Sequence, residues 1–223
     1  MEKHSNLLRR FASGKLNLFS ALKILKVLLK DIEDENLISW VEREMNGYDV
    51  SDPDIPSYRK AKGCIMGNII TSNMITRDQM LPTDQIPEDQ REALQTVIII
   101  NGVMALSNII KTQDGILARF IPPECYHWFN NVYNNASVTH VQTRVDHSIP
   151  ANVLSNIENK VLDIFYLLEQ KGCNIDEMDV SEIKSQQQNI VTLIKELVYA
   201  DNRITIGDGN EFAKTTLQTQ CKQ

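Results

Sequence analysis

The side chains of this 223-residue chain that could do chemistry are its four histidines, its four cysteines and its scattered acids. Few of them are spaced to work together. His127 stands two residues from Cys125 and three from Glu124 in a segment expected to be helical. Side chains at i and i+2 of a helix point apart, so Cys125 and His127 make poor metal ligands as a pair. His140 and His147 fall an odd number of positions apart on an expected strand, which puts them on opposite faces. Cys64, Cys125, Cys173 and Cys221 are far apart and form no CxxC pair. Neither a zinc site nor a disulfide framework is expected, and reduced thiols are. No G-x-S-x-G elbow and no Cys–His set in a known context supplies a nucleophile. The Gly207-Asp208-Gly209 turn is too short to be a phosphate loop. The pairs Glu42/Glu44 and Asp52/Asp54 read as solvated faces and loop charges. The expectation is a chain with no catalytic residue, no metal and no cofactor.

One acid and one base belong to a more specific pattern. Residues 37–59 read LISWVEREMNGYDVSDPDIPSYR. Leu37, Ile38, Val41 and Met45 recur at helical spacing beside Trp40, with Glu42, Arg43 and Glu44 between them. Gly47 sits where a helix ends in glycine, free of the steric cost of left-handed backbone. Tyr48 can then fold onto the last helical turn. Pro53 and Pro56 keep residues 49–56 out of a helix, and Tyr58 and Arg59 begin the next element. An ion pair between Glu44 and Arg59 would lock the intervening loop. That structural role is preferred here to a ligand-binding arginine.

The same residues carry a family likeness. Trp40, Glu44, Met45, Asn46, Gly47 and Tyr48, then Pro56, Tyr58 and Arg59, resemble the AbiTii domain of bacterial abortive-infection proteins. In that family a W-x-x-x-E-[LM]-x-G-Y motif follows a helical segment and leads through an acidic loop to P-x-Y-R. The likeness runs from about residue 7 to about residue 172. It implies a role in bacterial defence against phage, in which the infected cell stops growing or dies. It carries no agreed chemistry.

The elements around the motif follow from periodicity. Leu7, Leu8 and Phe11, then Leu18, Leu22, Leu25, Leu28, Leu29 and Ile32, predict two helices broken at Ser13-Gly14. A third carries Trp40. Residues 58–76 mix apolar residues with Gly63, Gly67, Asn68 and Asn73, which suits strand and turn. Pro87, Glu88, Asp89 and Glu92 mark a helix start, and the helix is expected to reach about Thr112 with its most buried part over 97–106. Pro122-Pro123 interrupts, and an aromatic helix over 124–134 follows. Alternation predicts a half-buried strand over 137–148. Pro150 opens a helix with Val153, Ile157, Val161, Ile164, Phe165 and Leu168 on one stripe, stopped at Gly172.

Beyond that point the composition becomes acidic, and a boundary near 174 is expected. A helix to about Ala200 and a short strand through Ile204 and Ile206 follow. This C-terminal helix and strand, 175–223, is read as an oligomerisation appendage, the alternative being a last helix on the same core.

Composition excludes some functions. A net charge of −6 argues against a nucleic-acid partner. The basic residues Arg9, Arg10, Lys15, Lys23, Lys26 and Lys30 are spaced as a solvated helix face. The longest apolar run is too short to span a bilayer, and the first residues lack the apolar run of a signal peptide. The cytoplasm is expected. The reading is an α+β fold: a mainly helical domain, 1–174, with a small antiparallel sheet from about 58–76 and 137–148, plus the appendage. Its function, by resemblance, is antiphage abortive infection through self-association or a phage or host protein partner. The alternatives are a small-molecule or nucleotide sensor, with the 48–59 loop bordering a pocket, and a toxin enzyme with an unrecognised site. The residues singled out are Trp40, Glu44, Gly47, Tyr48, Pro56, Tyr58 and Arg59.

Overall fold

A computed structural model describes residues 4–112, 116–130, 132–133 and 136–199. The chain is α+β and mainly helical, with a small antiparallel sheet. It opens with α1 (Asn6–Ala12), α2 (Leu18–Asp31) and α3 (Glu35–Asn46). Each starts on a side-chain cap: Ser5 accepts from Leu8 N, Asn17 from Ser20 N and Asp34 from Leu37 N. These oxygens satisfy amides that the first helical turn leaves open. The leucine stripe of α2 (Leu22, Leu25, Leu28 and Leu29) is fully buried.

The next stretch is β1 (Lys60–Lys62), β2 (Cys64–Ile70), β3 (Ile75–Met80), α4 (Glu88–Gln95), β4 (Thr96–Ile98) and α5 (Val103–Lys111). The single helix expected over 87–112 is therefore two helices with a strand between them. Thr96, Val97, Ile98, Ile99 and Ile100 form a run of β-branched residues, stiff at χ1 and better suited to extended backbone. The run is taken up by pairing, with Lys60 opposite Ile98 and Lys62 opposite Thr96. Gly102 then lets the chain pass α3: a Cβ there would lie 2.4 Å from Met45 O.

The remainder is β5 (Ala118–Phe120), α6 (His127–Asn130), β6 (Ser137–Arg144), α7 (Ser148–Gln170) and α8 (Gln187–Tyr199). The four-stranded sheet has the order β3-β2-β6-β5, all antiparallel. It is wider than the expected pair of segments, because β3 continues to Met80 and β5 was too short to show a period. The strand ends at Arg144 instead of 148, since Asp146 accepts from Ser148 N and turns the chain into α7. His147 thus precedes a helix and lies off the strand. The aromatic helix shrinks to a turn over Pro123–Cys125 and the short α6.

One large core joins α1, α2, α3, α5, α7 and α8. Residues on both sides of 174 share it: Phe165 and Leu168 pack in the same cluster as Ile175, Ile183, Ile190, Ile194 and Val198. The strand expected through Ile204 and Ile206 lies outside the described residues. A smaller core, with Ile65, Leu94, Phe129 and Val141, fills one face of the sheet. The opposite face keeps Met80 and Phe120 67% and 74% exposed.

Candidate functional site: a buried Glu44–Arg59 cluster

Glu44 lies in the last turn of α3 and Arg59 at the end of a short turn over Ser57–Arg59. The link between them is shaped by two residues. Gly47 caps α3 at φ 107° and its N–H donates to Arg43 O. A Cβ there would stand 2.7 Å from Ile100 O, so only glycine fits both the conformation and the space. Pro56, buried and extended, carries the carbonyl that accepts from Arg59 N at 3.0 Å.

These turns bring the carboxylate and the guanidinium together at full burial, both 0% exposed. Arg59 donates from Nε to both oxygens of Glu44 at 3.2 Å and from Nη2 to Oε2 at 2.5 Å. Glu44 Oε1 also accepts from the Tyr48 hydroxyl at 2.6 Å and the Tyr58 hydroxyl at 2.7 Å. Trp40 Nε1 donates to the Tyr58 oxygen at 3.2 Å. Arg59 Nη1 donates to Ile99 O at 2.7 Å and to Asn101 O at 2.9 Å. The guanidinium sits 4.6 Å from the centre of the Tyr48 ring, a cation–π distance. Trp40, Glu44, Tyr48, Tyr58 and Arg59 meet in this cluster, and Gly47 and Pro56 hold its turns.

The electrostatics follow from burial. Burial and the Glu44 carboxylate push the Tyr48 phenol far above its ordinary value, and they do the same to Tyr58. Both phenols stay neutral donors. Burial opposes the charge on Arg59, yet the neighbouring Glu44 outweighs it and the guanidinium is held more firmly protonated. A buried charge needs such compensation, because an unpaired one costs several kcal/mol. Both carboxylate oxygens of Glu44 accept from neighbouring side chains, and the tyrosines that reach it cannot ionise. The arrangement can fix three chain segments to one another. It offers no open coordination position and no free base.

Sequence reasoning reached the side chains of this cluster and missed its backbone acceptors, Ile99 O and Asn101 O, along with Lys160. Lys160 is buried on α7, donates to Leu197 O at 2.7 Å and stands 5.5 Å from the Tyr58 ring centre. Its place in the apolar stripe of α7 was the one available signal. The other reactive groups stay apart. His127 Nδ1 lies 2.7 Å from Glu124 O in its own turn. Burial and Asp179 push the Cys173 thiol up to about 11, away from thiolate chemistry. Among the described residues no three His, Cys, Asp or Glu side chains are grouped to hold a metal. No helix among them is long and apolar enough to cross a membrane.

The fold and the cluster define a helical α+β domain organised around one internal ion pair. The AbiTii family model matches residues 5–193, and the chain belongs to that family of abortive-infection proteins. No curated protein matches the chain. No solved structure matches it.

Proposed function

We propose that this protein carries out abortive infection from the cytoplasm by protein–protein association, first of all with further copies of itself, and without a reaction of its own. The observation that carries this reading is the closure of the cluster. The residues that mark the family spend their polar groups on one another and on the backbone just after β4, so they build the molecule and leave its surface to act. A sensor role at residues 54–58 of the 48–59 loop has little room. The pocket beside that loop, lined by Asp54, Pro56, Tyr58 and Tyr199, has a volume of about 170 Å³. Small-molecule sites generally need roughly 300–1,000 Å³.

The test combines light scattering on the purified full chain with phage challenge of cells expressing it. A defined oligomer, and protection that is lost in variants that stay folded but monomeric, is the expected result. A monomer at all concentrations, or protection by a monomeric variant, overturns the reading.

A further inference from the structure

A cleft of about 570 Å³ runs between β4 and β5, the two strands that end their respective sheets. Its walls are consecutive residues: 96–101 on one side and Leu117, Ala118 and Arg119 on the other. A cleft bounded by a sheet face would touch alternate residues, since side chains alternate along a strand. Consecutive lining is the mark of strand edges.

The hydrogen-bond register says which backbone groups face it. Ile99 N donates to Arg59 O and Gly63 N to Gln95 O, so residues 95, 97 and 99 point toward β1 and Ile98 points away. Val145 N donates to Leu117 O and Ile121 N to Val141 O, so Ala118 points away from β6. The N–H and C=O of Ile98 and Ala118 form no hydrogen bond with another described residue. Ile98, Ile100 and Leu117, all half-buried, give the cleft an aliphatic lining. Arg119 crosses its floor, donating from Nη2 to Ala93 O and Leu94 O at 2.7 Å. The far side of the β4 wall is held by the ion-pair cluster through Arg59 Nη1 on Ile99 O and Asn101 O.

We infer that this cleft takes an extended strand, and that the strand is the Ile204-Thr205-Ile206 segment of a second copy of this chain. Facing edges ask for a partner with backbone donors and acceptors on both sides, which only an extended segment supplies. The segment is wholly β-branched and places Ile204 and Ile206 on one face, matching the aliphatic lining. It follows closely on Tyr199, where the described residues end. The last described residue of α8, Tyr199, borders the 54–58 loop, and Val50 of the same connection lines the cleft. Five residues on from Tyr199, Ile204 can reach up to about 17 Å. A second copy's segment would bridge β4 to β5 and join the two sheets across subunits. The inference rests on the self-association reading above and gives it a surface.

Three full-length proteins decide it by light scattering: the natural chain, Ile204→Asp/Ile206→Asp, and Ala118→Pro. Position 118 opens an edge strand, where proline is tolerated and removes the amide that faces the cleft. The natural chain is expected to be an oligomer and both variants monomers. A synthetic peptide of residues 201–210 is expected to bind the Ile204→Asp/Ile206→Asp protein, and N-methylation of its Thr205 amide to weaken binding at least tenfold. The peptide arm leaves the protein's fold untouched, so it decides even if Ala118→Pro unfolds. An oligomer that survives Ile204→Asp/Ile206→Asp overturns the inference while self-association stands. A monomeric natural chain overturns both. Peptide binding indifferent to N-methylation overturns the strand geometry.

Discussion

The Glu44–Arg59 cluster and the sheet with its strand edges are opposites in one chain. In the first, polar groups are sealed at zero exposure and satisfied by one another. In the second, apolar side chains such as Phe120 and Met80 stand mostly in solvent, and edge amides face a cleft. Burial normally sorts residues the other way. The contrast teaches where family-defining residues act: inside, as the joint between α3, the 49–59 connection and the 99–101 segment after β4. The exposed surface of the sheet is made of residues that no motif marks.

Breaking the joint should have the largest effect. Glu44→Ala leaves Arg59 buried without its carboxylate and should cost about 3–5 kcal/mol, read by urea denaturation. Replacing both partners, as in Glu44→Leu/Arg59→Met, should be less destabilising than Glu44→Ala alone. If the double variant is the worse, the pair stabilises the fold far beyond its mutual charge. Tyr48→Phe removes one hydrogen bond to a buried carboxylate and should cost about 1.5–3 kcal/mol. Gly47→Ala forces a side chain into positive-φ backbone 2.7 Å from Ile100 O and should cost about 1–3 kcal/mol, measured in the same way. At the sheet surface, Met80→Ser should change stability by no more than about 0.5 kcal/mol. A change there as large as in the cluster would erase the comparison.

A pH titration sharpens it further. Burial would raise the Asp34 carboxyl, but hydrogen bonding to Lys195 and to Leu37 N outweighs it, and the group lies below its ordinary 3.8. A folded value below the unfolded one stabilises above about 3.8 and is lost as the pH falls through the folded value. Stability should therefore fall at the acid end. Lys195→Met should flatten that limb in thermal melts between pH 5 and 2, roughly the carboxylate range, by lowering stability in the neutral region while leaving the acid end nearly unchanged.

Much of this was legible. The α2 and α7 stripes and the α3 stop at Gly47 lie in residue types and spacing, and the Glu44–Arg59 pairing in the joint place of the two residues in the family motif. The rest was not, for physical reasons. Arg59 is completed by carbonyls of Ile99 and Asn101, and every residue has a carbonyl. β1, β4 and β5 are three residues each, too short for a period of two to stand out from chance. The run at 96–100 is apolar enough for a buried helix, and its β-branching settled the matter only together with a partner strand at 60–62.

The N-terminal helices meet the 169–187 region in the fold. Asp176 accepts from Asn6 N and Leu7 N, Glu169 from Ser5 N, and Gln187 donates to Ile32 O. These contacts join residues made roughly 10–30 s apart at ordinary translation speeds of about 5–20 residues per second. Until then the nascent leucine face of α2 has neither α7 nor α8 to cover it. Synthesis rate and chaperone supply should therefore govern how much of this protein a cell obtains in its finished form.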